Sequence, residues 1–197
     1  MRWVSRAVAT AALVLMAAGP VAAQLRLPEP LDANERALLP QIGGTLGSGH
    51  ATLAELDALL AKLPRPSPLR GAVQLMRASI LGAADRSSDA VAAADEAARL
   101  LPDLPQPKLL LTYLLTFTGA PQRAADLWLE ASRQSPEVAR ESDAYTLDAL
   151  AGRLEEMGDT KRARLLVARM GEIGFSHQLA PDRVGMAVAQ LTQLTLK

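Results

Sequence analysis

Apolar side chains recur every three or four positions along most of this chain. Leu and Ala carry this spacing from about residue 35 onward, and β-branched residues do not alternate with polar ones. Such spacing places the apolar residues on one face of a helix, whereas a half-buried strand would alternate. Pro and Gly interrupt the pattern and leave segments of about 12 to 17 residues with short connections. The sequence therefore predicts an all-α chain of antiparallel helical hairpins.

The predicted hairpins repeat with a regular period. Pro102 and Pro136 each end a predicted second helix, and they are 34 residues apart. Alanines precede both prolines at the same two distances, namely Ala90 and Ala97 in one repeat and Ala124 and Ala131 in the next. Small side chains let helix backbones approach closely, and Pro cannot continue a helix because it has no N–H to donate. A period of this length is typical of helix–turn–helix repeats.

These residues resemble the tetratricopeptide repeat (TPR) family, which places small residues at three positions, a turn Gly, a large apolar residue and a final Pro. The repeat starting at Gly71 matches with Ala78, Ala90, Ala97 and Pro102. The repeat starting at Pro105 matches with Gly119, Ala124, Trp128, Ala131 and Pro136. The repeat starting near Ala144 has Leu150, Ala151, Leu154, Gly158, Asp159, Ala163 and Val167. The departures are Asp85, Ala94, Thr112 and Met170, and an insertion at 137–142.

The resemblance implies a right-handed superhelix of antiparallel hairpins, a TPR-like α-solenoid, over residues 35–178. A degenerate first repeat starts near Glu35, where Pro40 should make the first helix short or kinked. An irregular helical bundle and a HEAT-like array remain alternatives. The first helices of the hairpins are expected at 67–82, 107–118 and 144–156.

Residues 1–23 have the order of a secretory signal peptide. Arg2 and Arg6 precede a mostly apolar stretch at 7–18, and small residues at 21–23 follow a Gly-Pro break. The apolar stretch is too short to span a bilayer. The sequence predicts cleavage after Ala23, a linker at 24–34 and a periplasmic or secreted address in a bacterium. A core helix at the N-terminus is the alternative.

Residues 179–197, at the C-terminal end of the sequence, have the pattern of an amphipathic helix. Pro181 suits the first turn of a helix, and Val184, Val188 and Leu191 then fall on one face. A repeat array needs a final element over its open apolar edge, so the sequence predicts a C-terminal capping helix. A docking helix for a partner is the alternative.

The amino-acid composition excludes several classes of ligand and of catalytic or metal site. The 197 residues include 21 Lys+Arg, 21 Asp+Glu, no Cys, six aromatics and two histidines, His50 and His177. Loss of residues 1–23 would leave a net charge of −2. A neutral, aromatic-poor chain favours neither nucleic acid nor stacking of bases. Without Cys, disulfide, thiolate and Cys-zinc chemistry are excluded, and two histidines cannot form a three-histidine metal site. We expect no metal and no cofactor.

The glycine-rich segment 43–50 is the strongest catalytic candidate, and it is incomplete. A phosphate-binding loop would need a Lys followed by Ser or Thr, and a Ser48–His50 pair would need an orienting carboxylate. We expect a turn in which glycines adopt positive φ. The carboxylates Glu155, Glu156 and Asp159 are expected on the solvated surface, and Trp128 in the core. The sequence therefore predicts that the chain is not an enzyme.

Stacked hairpins offer a concave face for an extended peptide or a partner helix. The expected exposed partner-binding positions on the first helices are Gln74, Arg77, Lys108, Thr112, Asp148 and Arg153. Their charges are mixed, so they specify no ligand. The leading hypothesis is an exported interaction scaffold that binds a protein or peptide, without nucleic acid and without a membrane span after signal cleavage. The alternatives are an accessory module of an outer-membrane or cell-envelope secretion or assembly system, and an enzyme with an unrecognised site.

Overall fold

The computed structural model describes residues 31–47 and 50–174, and the regular elements within them are helices. We number the helices in chain order as α1 (Ala33–Gly47), α2 (Leu53–Lys62), α3 (Pro68–Ala83), α4 (Ser87–Leu100), α5 (Pro105–Thr118), α6 (Pro121–Gln134), α7 (Pro136–Ala139), α8 (Ala144–Glu156) and α9 (Thr160–Glu172). The predicted all-α class is thereby confirmed for this part of the chain. None of the described helices has the length and apolar character needed to cross a membrane. The predicted signal peptide and C-terminal cap lie outside the described residues.

Side-chain caps from the local sequence mark the starts of α2, α3, α8 and α9. The Thr52 hydroxyl accepts from the backbone N–H of Glu55, and the Glu55 carboxylate accepts from the N–H of Thr52 at 2.8 Å, a reciprocal capping box at the start of α2. Ser67 caps α3, where Pro68 occupies the first turn. Each cap satisfies N–H groups that have no partner inside the helix.

The turns between hairpin helices contain residues with positive φ, in the left-handed region of backbone conformation. Gly119 has φ of 95° and Gly158 has φ of 79°, so the turns predicted at these two glycines are confirmed. Asp85 has φ of 58° in the turn between α3 and α4, where the family pattern has Gly. Asp tolerates this conformation better than most residues with a side chain. The turn is therefore kept despite the missing Gly.

The described helices fall into two compact units, Met1–Leu110 and Leu111–Lys197, with the boundary inside α5. In the first unit, α3 packs most extensively on α4 and also contacts α1 and α2. Ala90 and Ala97 of α4 are fully buried, as the repeat pattern predicts for positions of close helix approach. A Cβ on Gly71 would lie 2.7 Å from Leu101 Cγ, so this glycine permits close packing between the start of α3 and the end of α4.

In the second unit, α6 packs on both helices of the α8–α9 hairpin. Trp128 of α6 is fully buried, which confirms the prediction that it is a core residue. Its indole N–H donates to the Ser142 hydroxyl at 3.1 Å. Ser142 belongs to the predicted insertion, part of which forms the short helix α7. The core also includes Leu147, Leu150, Leu154, Leu166 and Met170.

The structure corrects two expectations about the first repeat in part. α1 runs for 15 residues through Pro40, so the helix is not short. The turn predicted over 43–50 cannot begin at Gly43, because Gly43 and Gly44 lie within α1 and neither has a positive φ. The physical reason is burial. Ile42 and Leu46, one helical turn apart, are both buried in the core that α2 and α3 form. Tertiary packing here overrides the low helix propensity of Pro and Gly.

Candidate functional site

The predicted partner-binding residues do not form one exposed surface. Arg153 is exposed, whereas Arg77 and Asp148 are half-buried. The exposure expected for the other three is wrong, because Gln74 and Lys108 are each 5 % exposed and Thr112 is 2 % exposed. Polar side chains buried to this extent need hydrogen-bond partners within the protein, and each of the three has one.

The buried Gln74 belongs to a polar cluster between α3 and α4. Its amide nitrogen donates to Glu96 Oε2 at 2.6 Å, and Arg70 Nε donates to Glu96 Oε1 at 2.6 Å. Arg70 also donates from a terminal nitrogen to the Leu60 carbonyl at 2.8 Å, in the last turn of α2. Arg70 and Gln74 therefore share one carboxylate, and Arg70 connects three helices.

The charge of Glu96 is stabilised by the arginines around it. Partial burial raises the pKa of Glu96, but the hydrogen bond and charge of Arg70, with the charges of Arg65 and Arg99, outweigh it and hold the pKa below its ordinary value. The side chain of Arg70 is 5 % exposed and that of Glu96 is 25 % exposed. The carboxylate therefore stays ionised at neutral pH as the counter-ion of a buried guanidinium.

Gln74 has a second polar atom that the cluster does not satisfy. Its side-chain oxygen is buried and has no hydrogen-bond partner among the described residues. Leaving a buried acceptor unpaired costs roughly 1–3 kcal/mol. The Gln74 amide nitrogen is therefore paired with the Glu96 carboxylate, whereas the Gln74 amide oxygen is left unpaired.

Arg77 extends the polar side of α3 to the surface. With Ser67, Arg70 and Gln74 it forms a row at helical spacing, which we call the α3 polar stripe. Arg77 Nε donates to Asp57 Oδ1 on α2 at 2.8 Å, and the two side chains are 25 % and 56 % exposed. The Arg77 guanidinium therefore reaches the surface beside α2. Arg77 is the solvent-accessible end of the α3 polar stripe.

Lys108 and Thr112 have local roles in α5. The Lys108 ammonium donates to the Pro102 carbonyl just before the helix, in the first unit. The Thr112 hydroxyl donates to the Ala124 carbonyl of α6 at 3.2 Å, in the second unit. Thr112 occupies a position where the repeat pattern has a small residue, and its hydroxyl makes this contact in the interior.

The carboxylates near the α8–α9 turn differ in exposure. Glu155 and Glu156 are exposed, as the sequence predicts, whereas Asp159 is half-buried and caps α9. Arg162 donates to Asp159 Oδ2 at 2.6 Å and to Asp126 Oδ1 of α6 at 2.9 Å. The hydrogen bonds from Arg162 lower the pKa of Asp159. These charges join α9 to α6 rather than forming an acid–base pair.

Sequence reasoning missed Arg70 and Glu96. The helical spacing of Arg70 and Gln74, four residues apart, could have indicated that they share a face. Glu96 lies 26 residues after Arg70 on another helix, and nothing in its local sequence indicates the contact.

The remaining catalytic candidates do not converge. His50 is exposed, whereas Ser48 and His177 lie outside the described residues. Within 31–47 and 50–174, no group of three or more His, Asp or Glu side chains could hold a metal ion. What the described residues do bring together is the α3 polar stripe, in which Arg70 and Gln74 share the Glu96 carboxylate and Arg77 is partly exposed to solvent.

Comparisons with protein-family models, curated proteins and solved structures found no match to this chain.

Proposed function

We propose that this chain is an exported, TPR-like scaffold that binds a protein or peptide partner on the first helices of its hairpins. The observation that carries the proposal is the common environment of corresponding repeat positions. Ala90 and Ala97 in the first unit, and Ala124 and Ala131 in the second, are all fully buried at a spacing of 34 residues. Equivalent burial of small residues at a fixed period supports a repeat of one packing unit.

The Arg77–Asp57 pair is the part of the proposed binding face that the first unit supplies. It combines a cation and an anion on adjacent helices, both partly exposed. A peptide that crosses α3 could pair an acidic side chain with Arg77 while its backbone and apolar side chains contact the helix surface. Exposed ion pairs contribute only about 0–1 kcal/mol to folding, so a partner can replace one with little loss of stability.

Charge reversal at Arg77 tests this proposal. Peptides would be selected from a phage-displayed random library against the chain, and their affinities measured by fluorescence anisotropy. We expect Arg77→Glu to weaken binding by about tenfold or more, since the loss of an ionic contact and a new repulsion both oppose it. Arg164→Glu is the control, because Arg164 is exposed on a second helix, α9.

A second variant separates binding from folding. Adding Asp57→Arg to Arg77→Glu restores an ion pair of reversed polarity, so thermal stability should return while peptide affinity should not. Equal losses of affinity for Arg77→Glu and Arg164→Glu, or recovery of affinity with the reversed pair, would contradict the proposed face.

A further inference from the structure

α1 has the composition of a weak helix. Its 15 residues include Pro40, Gly43, Gly44 and a final Gly47. Pro and Gly have the lowest helix propensities of all residues, and Pro40 also removes one hydrogen bond within the helix. α1 would therefore form poorly without the contacts that it makes to the rest of the first unit.

The two inner glycines of α1 have no steric reason to be glycine. A Cβ on Gly43 or on Gly44 would meet nothing within 4 Å, and neither residue has a positive φ. Gly71 is the opposite case, because a Cβ there would lie 2.7 Å from Leu101 Cγ. Alanine would fit at both positions in α1 and would strengthen the helix. The glycines therefore keep α1 weak without serving its packing.

α1 is attached to the first unit mainly by aliphatic side chains. Ile42 and Leu46 are buried in the core of the first unit, and the Ser67 hydroxyl donates to Glu35 Oε1 at 2.5 Å. At the surface, Asn34 donates to the Lys62 carbonyl and the Lys62 ammonium donates to the Gln41 side-chain oxygen, both at 3.5 Å. Leu38 and Leu39 of α1 also pack, partly buried, against this core. Aliphatic side chains thus provide most of the described contacts of α1, and the partner helix proposed below would have to replace them.

The surface beneath α1 is apolar and is built by two other helices. α2 and α3 contact each other directly. They supply the residues that pack around Ile42 and Leu46, namely Leu56, Leu59, Leu60, Leu63, Leu69, Val73 and Met76. Two packed helices with an apolar surface are a common receptor for a third, amphipathic helix.

We propose that α1 is a displaceable cover, and that the α2–α3 groove beneath it binds an amphipathic helix of a partner protein. α1 itself defines the chemistry of that helix. It would carry aliphatic side chains four residues apart, as Ile42 and Leu46 are, and a carboxylate seven residues before the first of them to accept from Ser67. A partner helix without Pro or Gly would form more readily than α1 and could replace it.

α1 and the partner helix compete for the α2–α3 groove, so the stability of α1 affects how tightly the partner binds. A ligand for the uncovered groove binds with an apparent affinity reduced by the fraction of molecules in which α1 is open. A weak α1 keeps this reduction small, and a stronger α1 would enlarge it. The groove does not include the Arg77–Asp57 pair, so displacement of α1 would occur whether or not the proposed peptide face exists.

A peptide copy of α1 provides the probe. We would measure, by fluorescence anisotropy, binding to the full chain of a labelled peptide of residues 31–47 carrying Pro40→Ala, Gly43→Ala and Gly44→Ala. Saturable binding is expected. In the chain, Gly43→Ala with Gly44→Ala should weaken peptide binding roughly tenfold, because two Gly→Ala changes favour the internal helix. Glu35→Ala in the chain should tighten binding several-fold, because only the internal helix loses its bond to Ser67.

The controls address position and stability. Gly171→Ala is the matched substitution in α9, where a Cβ would also meet nothing within 4 Å, and it should leave peptide affinity unchanged.

Native-state hydrogen exchange should show that the α1 amides exchange faster than those of α3, and that they exchange more slowly in the chain carrying Gly43→Ala and Gly44→Ala. Absence of saturable binding, equal affinity in all variants, or α1 amides as protected as those of α3 would overturn the proposal. A concentration-dependent dimer in ultracentrifugation would instead assign the groove to α1 of a second copy.

Discussion

Among single residues, Arg70 organises the polar interior of the first unit. One guanidinium contacts the Glu96 carboxylate on α4 and the Leu60 carbonyl at the end of α2. Removing one partner of a buried ion pair usually costs several kcal/mol, because the other charge is left without compensation. Replacement of Arg70 by Ala would leave Glu96 without its strongest stabilising contact.

The lowered pKa of Glu96 makes stability depend on pH. A carboxyl group whose pKa is lower in the folded than in the unfolded state stabilises the fold above the unfolded pKa, near 4.3 for Glu, and this contribution is lost as pH falls through the folded pKa. Urea unfolding should therefore show the advantage of wild type over Glu96→Gln shrinking below about pH 4.3. Glu156→Gln, at an exposed position, is the control. A difference between wild type and Glu96→Gln that is independent of pH would refute this role.

At the level of helices, glycine has opposite roles in α1 and α3. Gly43 and Gly44 have space around them, whereas Gly71 lies against Leu101. Their identity as glycine is visible in the sequence, but the role of each depends on the neighbouring helix. Helix propensity alone would predict that alanine stabilises all three positions.

Gly71→Ala should destabilise the first unit. The new Cβ would lie 2.7 Å from Leu101 Cγ, and overpacking of this kind costs typically 1–3 kcal/mol. Gly171→Ala, in a helix where a Cβ meets nothing, should stabilise by about 0.5–1 kcal/mol. Urea unfolding of both variants gives the comparison. A stabilising effect of Gly71→Ala would contradict this prediction, because it would show that the residues around Gly71 can shift to accept a Cβ without loss of stability.

At the level of the whole molecule, the hairpin organisation follows from patterns that the sequence displays. The turns at Gly119 and Gly158 and the ends of α4 and α6 lie where Pro and Gly indicate them. These features are predictable because caps, turns and apolar periodicity act within a few residues. The division into two units, with its boundary inside α5, has no corresponding break in composition.

The signal peptide predicted from the sequence implies a specific N-terminus for the mature protein. The protein expressed with a bacterial secretion system should begin at Gln24, because residues 1–23 have the charged, apolar and small-residue regions that signal peptidase recognises. N-terminal sequencing of the secreted product tests this. Ala23→Arg should block cleavage, since a small residue is required at that position, whereas Ala33→Arg should have no effect on it. An intact Met1 in the secreted wild-type product would contradict the prediction.

The candidate site was less predictable than the fold. Sequence spacing identified Gln74 and Arg77 as polar positions on a first helix, and both belong to the α3 polar stripe. It did not indicate that Gln74 is buried, because the carboxylate that binds Gln74 lies 22 residues away on α4. Lys108 and Thr112 were misjudged for the same reason, since their burial depends on the backbone segments that surround them.

The sequence by itself determined the helical class, the turns at Gly119 and Gly158 and the positions of the small residues that pack within each unit. These depend on interactions between residues close together in the chain. Only the tertiary structure decided which polar side chains are buried, and that a helix forms through Pro40 and two glycines. Both outcomes depend on burial against remote segments, where the gain from covering Ile42 and Leu46 outweighs an unfavourable local preference.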